Sequence, residues 1–244
     1  MIYRFDILSS TNDEACGSQY KQGDIIVAES QTAGRGQRGH TWESGKGQNL
    51  TLSAVLEPTF LPPTEQFLLS EVIALAVADT LASYSIKTKI KWTNDIYVGD
   101  RKLVGILMEH KLQGAVIGRT IAGIGLNVNQ TEFAGEGLTY AGSLRGEFGV
   151  EVDKSNVLTA ILEHFRGYYE VFCKEGSLKM LQKAYETRLA NYGKKVNVLD
   201  PKGAYQGVAL GINDKGELLV RRADGMVEEV YAGEVSVRGL WGYV

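Results

Sequence analysis

Residues 95–129 constrain the fold more than any other part of the chain. Three strand-like runs follow one another here: IYV, KLVGILMEHKL and AVIGRTIAGIGLNVN. They are separated only by Gly99-Asp100 and Gln113-Gly114, short turn signals that join antiparallel neighbours. Parallel neighbours would need crossover connections of a dozen residues or more, so this block points to α+β rather than a doubly wound sheet. Around it, residues 2–8 alternate as a short strand and DIIVAES reads as a buried strand. In NLTLSAVLE, Leu50, Leu52, Ala54 and Leu56 share one face, and KIKW is a short strand. Thr11 followed by Glu14 resembles a capping box opening a helix that runs to Gly23. A helix from Glu65 to Ser83 follows LPPT, with Thr64 as its cap. Another starts at Ser155 with Val157, Leu158, Ile161, Leu162, Phe165, Tyr169 and Phe172 at 3–4 spacing, and a further one spans Ser177 to Ala190. Residues 130–146 are Gly-rich and short of core residues, which predicts a mobile loop. After Gly193 the pattern changes: KVNVL, YQGVALGI, ELLVRR and MVEEVYAGEVSV are separated by Asp-Pro-Lys-Gly, Asn-Asp-Lys-Gly and Ala-Asp-Gly turns. This predicts a domain over residues 1–190 and a small β-barrel over 191–244.

Composition removes several functions. The chain has 244 residues, 44% of them hydrophobic, with a formal net charge of -3. A nucleic-acid binder draws most of its affinity from phosphate contacts and carries a basic excess, so nucleic acid is disfavoured as a partner. Cys16 and Cys173 are far apart, no CxxC or Cys/His spacing occurs, and His40, His110 and His164 share no spacing, so structural zinc is disfavoured. Two free thiols fit a reducing compartment. The N-terminus lacks a signal-peptide pattern, and VIALAVADTLA is interrupted by Asp79 and too short to span a bilayer. A cytoplasmic protein with no membrane partner is expected.

Three segments carry chemistry. The first runs from Gln31 through Gly34-Arg35-Gly36-Gln37-Arg38-Gly39-His40-Thr41 to Trp42. Its glycines allow close backbone approach, its N–H groups can line an anion-binding concavity, and Arg35 and Arg38 add charge. It is not a P-loop, because Gly-Lys-Ser/Thr is missing and a strand follows. A solvated turn is the competing reading, and Trp42 is equally a base-stacking platform or a core residue. The second segment is Lys91-Trp92-Thr93-Asn94-Asp95, followed by Arg101-Lys102 and Gly105-Ile-Leu-Met-Glu109. Asp95 and Lys102 flank a hairpin, either as surface charges or, given the apolar run after Lys102, at the mouth of a buried strand. The third is Gly123-Ile-Gly125-Leu-Asn127-Val-Asn129, where small residues leave room for a flat ligand or serve packing alone.

Taken together and in this order, Ser10-Thr11-Asn12, Gly-Arg-Gly with Trp42, Lys-Trp-x-Asn-Asp with Lys102 and Gly105, and Gly-x-Gly-x-Asn resemble the biotin–protein ligase family. The resemblance implies a class II aminoacyl-tRNA synthetase-like catalytic domain with a mixed or antiparallel sheet, followed by an SH3-like barrel. It implies ATP and biotin as substrates with Mg²⁺, a biotinyl-adenylate intermediate, and transfer to a lysine of a biotin carboxyl carrier protein or domain. Biotin would be bound by Ser10, Thr11, Gln31, Gly34, Arg35, Lys102, Gly105 and Gly123. ATP would be bound by Arg35, Arg38, Trp42, Lys91, Asn94, Lys102 and Asn127. The catalytic set would be Arg35, Lys102, Lys91 and Asp95, the last orienting or deprotonating the acceptor lysine. Gln37 and His40 stand where some relatives carry arginine, and Thr93 replaces a usual proline. Fewer loop cations imply faster escape of the adenylate. Relatives often pair through edge strands, so a homodimer is among the implied assemblies. No room exists before Ile2 for a helix-turn-helix domain, so ligase activity without repression is expected. The competing readings are a lipoate or octanoate ligase or transferase of the same fold class, a non-catalytic binding module, and a nucleic-acid-binding regulator.

Overall fold

In a computed structural model, which describes residues 1–133, 138–200, 203–231 and 236–239, the antiparallel block is the centre of a seven-stranded sheet. The chain enters through β1 (Ile2–Phe5), a short α1 (Thr11–Ala15), β2 (Ile25–Ala28) and β3 (Leu50–Leu56). Then come α2 (Phe67–Ser83), β4 (Lys89–Lys91), β5 (Asp95–Val98), β6 (Arg101–Gln113) and β7 (Val116–Leu126). The strand order is β1-β2-β3-β7-β6-β5-β4. Among the described strands of this sheet only β1 and β2 pair in parallel, so the sheet is mixed. Three further helices follow, α3 (Leu144–Phe148), α4 (Lys154–Glu175) and α5 (Lys179–Arg188). A second, antiparallel sheet is formed by β8 (Lys195–Leu199), β9 (Tyr205–Ile212), β10 (Leu218–Arg222), β11 (Val227–Val230) and β12 (Ser236–Gly239), ordered β11-β10-β9-β8-β12.

Several local expectations need correction. The first helix ends at Ala15 instead of Gly23, and its cap is Ser10, whose hydroxyl accepts from the Asn12 N–H at 3.2 Å; this frees Thr11 for other partners. A 3₁₀ turn at Pro63–Glu65 precedes α2, and Gln66 rather than Thr64 takes the cap position, without a side-chain bond. Asp153 caps α4 and accepts from the Ser155 N–H at 2.7 Å. The Gly-rich stretch is not loop throughout: Ser143 caps α3 and Leu144 is fully buried, while residues 134–137 lie outside the described set. Leu50, Leu52, Ala54 and Leu56 do share one face of β3, the one under α2, and the other face is buried as well because α1 covers it.

Nearly every side chain of α2 is buried, as a helix that is apolar all round requires. Residues 63–83 are long and apolar enough by composition to cross a membrane, so the apolar stretch read as too short extends further than its core suggests. The protein itself buries 78% of that window, which makes α2 the core helix. The C-terminal sheet docks on the start of α2. Gln66 donates to the Tyr231 hydroxyl, and the Trp92 indole N–H donates to the Gly216 carbonyl at 3.0 Å. On α5, Gln182 and Glu186 bond the Ile212 backbone at 2.7 and 3.1 Å.

Glu71 is an exception inside this junction. It is 1% exposed, and its Oε1 has no hydrogen-bond partner among the described residues. Burial, with the charge of Glu186 adding to it, pushes its carboxyl well above the usual range. An acid whose folded pKa is raised must take up a proton to fold, so it costs stability progressively as pH rises above its unfolded value. Glu71→Met, similar in volume and without the polar atoms, should raise stability at pH 8 by about 1–3 kcal/mol, with a smaller gain at pH 5. Urea unfolding at the two pH values reads this. A gain that is equal at both, or absent, would show that the carboxyl is not a buried liability.

Candidate active site

Sheet register builds the floor of the site. Gly105 on β6 pairs with Gly125 on β7, which pairs with Thr51 on β3. One step along, Leu107 pairs with Gly123 and Gly123 with Ser53. A Cβ at Gly105 would lie 2.9 Å from the Trp42 ring, and one at Gly125 would overlap the indole outright. A Cβ at Gly123 would overlap the Asn12 amide. The missing side chains therefore create the space that Trp42 and Asn12 occupy. A cavity of about 540 Å³ lies on this floor.

At one end the cavity has a bed of buried polar groups. The Thr11 N–H and hydroxyl donate to the Gln31 amide oxygen at 2.7 and 3.1 Å. Ser53 donates to the Thr11 hydroxyl at 2.8 Å or to the Asn12 amide oxygen at 2.6 Å, and Asn12 donates to Glu109 at 2.7 Å. Ser10, Thr11, Asn12 and Ser53 are all buried, so this bed is pre-organised at the cost of desolvating its members, which the hydrogen bonds offset.

Above the floor, residues 34–42 form a closed ribbon. The Gly36 N–H donates to the His40 carbonyl at 2.6 Å and the Trp42 N–H to the Gly34 carbonyl at 2.9 Å, around a 3₁₀ turn at Gln37–Gly39. Gly39 has φ of +78°, a conformation that favours glycine. Gly34 packs against the Trp42 backbone and shapes the ribbon without lining the cavity. The Arg35 guanidinium is engaged by Glu109 at 2.8 and 2.9 Å and by Asp13 at 2.6 Å. The Arg38 side chain lies outside the described residues.

The hairpin of β5 and β6 supplies the other charges. Lys102 Nζ is 2.7 Å from Asp95 Oδ1 and 5.9 Å from the Trp42 ring centroid. Lys91, opposite Asp95 in the β4–β5 register, also lines the cavity, with Nζ 5.9 Å from the Tyr97 ring centroid. Asn94 lines it too, its amide fixed by donation to the Ile106 carbonyl and by a bond accepted from the Thr93 hydroxyl at 2.7 Å. Asn127 is buried behind the floor with no partner for its Oδ1 among the described residues, and it does not line the cavity. The structure thus brings Ser10, Thr11, Gln31, Arg35, Trp42, Lys91, Asn94, Asp95, Lys102, Gly105 and Gly123 to one cavity.

Sequence reasoning missed the anchoring carboxylates Asp13 and Glu109, and also Gln66, Tyr231 and Val237, which line the cavity where the C-terminal sheet meets α2. Nothing local marks Tyr231 or Val237, because their place depends on docking of a distant sheet. Among the described residues no cluster of three His, Cys, Asp or Glu converges to hold a metal ion.

Residues 5–129 match the model of the biotin/lipoate A/B protein ligase family, and residues 192–238 match that of the biotin protein ligase C-terminal domain. The chain belongs to the biotin/lipoate A/B protein ligase family. It is 33% identical to the bifunctional ligase/repressor BirA of Bacillus subtilis over 97% of this chain and 74% of that protein. It is 30% identical to the biotin–[acetyl-CoA-carboxylase] ligase of Paracoccus denitrificans over 88% of this chain and 90% of the relative. Among solved structures, the biotin protein ligase of Aquifex aeolicus in complex with biotin and ATP superposes with a TM-score of 0.86 at 30% identity, covering 98% of each chain. The fold is therefore that of the biotin protein ligases, with a mixed sheet and an antiparallel C-terminal sheet.

Within this ligase fold, His110 lines the same cavity and its Nδ1 is 2.9 Å from the Thr120 hydroxyl. Burial lowers its pKa to about 4. A histidine held neutral in the fold is protonated first in the unfolded chain, so it costs stability as pH falls from about 6.5 to about 4. Over that window the wild type should lose about 2–3 kcal/mol that His110→Gln does not. Urea unfolding at pH 6.5 and 4.5 tests this, and parallel losses in the two proteins would remove His110 as the cause.

Proposed function

We propose that the chain is an ATP-dependent biotin–protein ligase. It activates biotin as biotinyl-5'-AMP and passes it to a lysine of a biotin carboxyl carrier protein or domain. One observation carries the reading: the polar bed of Ser10, Thr11 and Gln31, the Lys102–Asp95 pair and the Trp42 platform over Gly105 and Gly125 share a single cavity. In the first step a biotin carboxylate oxygen attacks the α-phosphorus of ATP and the bond to pyrophosphate breaks. Two anions must approach, so a cation between them lowers the barrier electrostatically, and Lys102 has that place, with Lys91 on the departing phosphates. Trp42 covers the adenine, and Gln31 with Thr11 receives the polar ring of biotin. In the second step the carrier lysine amine attacks the acyl carbonyl and AMP leaves. Asp95 orients that amine or takes its proton. Mg²⁺ bound to the phosphates of ATP would neutralise part of their charge, and Asp95 would be the carboxylate of this chain available to it.

The same reading assigns residues 1–190 to a class II synthetase-like catalytic domain and 191–244 to an SH3-like barrel, in a cytoplasmic enzyme. The C-terminal match beginning at residue 192 supports that division. Gln37, which lines the cavity in place of an arginine, leaves the adenylate less firmly held.

The direct test is pyrophosphate release from ATP with biotin, with lipoate and with neither, followed by transfer to a carrier domain. Release with biotin alone is expected; release with lipoate alone would assign the chain to the other branch of the family. Asp95→Asn should form the adenylate at a rate within a few-fold of wild type yet transfer it about 100-fold more slowly, as loss of a general base does. Single-turnover transfer from purified adenylate separates the steps, and normal transfer would take Asp95 out of the mechanism.

A further inference from the structure

The glycine–arginine ribbon needs something to fix it over the cavity. Its internal hydrogen bonds shape it, and its entry is tied by the Thr32 and Ala33 N–H groups donating to the Leu8 and Ser9 carbonyls at 2.9 Å each. Neither feature sets the height of its tip above the floor. Among the described residues, the ribbon's only ion pairs are those of Arg35. That guanidinium spans from Asp13 on α1 to Glu109 on β6, with both Glu109 oxygens engaged. The fork geometry of guanidinium on carboxylate fixes orientation as well as distance, which a lysine would not do.

Glu109 has a second task. The oxygen that accepts from Arg35 at 2.9 Å also accepts from Asn12 at 2.7 Å. Asn12 lies against Gly123 and continues through Ser53 and Thr11 to Gln31. One carboxylate therefore joins the ribbon above the cavity to the hydrogen-bonded bed below it.

We propose that Glu109, assisted by Asp13, is a positioning residue for the ligase reaction. It anchors the ribbon through Arg35 and holds the biotin bed through Asn12, so Arg35 serves as the ribbon's anchor and not as a cation on the phosphates. This deepens the ligase reading and rests on it. A bed distorted by losing Glu109 binds biotin less well, and a ribbon released from it opens the cavity to water.

The test uses the full chain and four variants: Glu109→Gln, Glu109→Ala, Arg35→Ala and the Arg35→Ala/Glu109→Ala double. Glu109→Gln is isosteric and still accepts from Asn12, but loses the charge that holds Arg35. In the absence of ligands, trypsin should cut after Arg38 about 10-fold faster in both Glu109 variants than in wild type. By calorimetry the biotin Kd should rise about 10-fold in Glu109→Ala and about 3-fold in Glu109→Gln. Biotin KM should follow Kd, while kcat for pyrophosphate release falls less than 3-fold. The double variant should be no worse than Glu109→Ala alone, because that variant already breaks the contact with Arg35 as well as the one with Asn12. The proposal is overturned if Arg35→Ala lowers kcat at saturating substrates while the Glu109 variants keep wild-type cleavage and biotin affinity, or if the two losses add. Absence of biotin binding in wild type would instead defeat the ligase reading, and cleavage after Arg38 would still report on the anchor.

Discussion

The whole site depends on a steric vacancy in the centre of a sheet. Gly105 and Gly125 face each other across β6 and β7, and Gly123 lies one pleat further along. Glycine inside a strand costs conformational entropy and gives up packing, so three at one place on two central strands weaken the sheet locally. What the sheet receives is room: an indole rests where two side chains would otherwise stand, and an asparagine amide where a third would. The long β6–β7 pairing and the buried β3 beside it keep that region ordered without those side chains. A side chain at any one of these positions would collide with the Trp42 ring or the Asn12 amide, whatever loop sequence lay above.

Charge is arranged on the same principle of restraint. Arg35 and Lys102 both line the cavity, and each is held by a carboxylate within 3 Å. Their side chains are 43% and 33% exposed, so isolated pairs of this kind would add little stability in water. Their worth lies in preorganisation. A cation already placed against an internal anion need not be reoriented when a substrate anion arrives, and exchange of one carboxylate for another costs little. The two pairs differ in reach. Lys102 faces a single carboxylate beside the indole, whereas Arg35 is locked between two elements, and the proposed roles of substrate cation and tether rest on this difference.

Much of this was legible from the residues alone. The turn signals at Gly99-Asp100 and Gln113-Gly114 announced the β5–β6–β7 block, and the observed strands fall within a residue or two of the runs between them, except that β7 ends at Leu126 instead of Asn129. The glycines of β7 and the ribbon were visible as possible openings beside the readings of packing and solvated turn, and the fold selects the opening. Three things were hidden. The first helix looked longer because Thr11 and Glu14 fit a capping pattern; in the fold Ser10 takes the cap and Thr11 turns inward to Gln31, a partner twenty residues away. Glu109 stood at the end of the Lys102–Gly105 segment without a role, since its partners Arg35 and Asn12 are brought to it from far along the chain. Tyr231 and Val237 carried no local signal at all.

Those two residues show why the catalytic sheet does not complete its own cavity. Gln66, at the start of α2, bonds the Tyr231 hydroxyl, and Trp92, next to Thr93 and Asn94, donates to the Gly216 carbonyl. Tyr185 on α5 donates to the Thr93 carbonyl at 3.0 Å from the other side. The segment carrying Asn94 and Asp95 is thus held by a helix and by the C-terminal sheet together. A lysine–carboxylate pair that must meet a substrate in one geometry needs neighbours that cannot shift independently. The C-terminal strands supply some of those neighbours, so a separate small sheet at the end of the chain helps to place residues more than a hundred positions earlier.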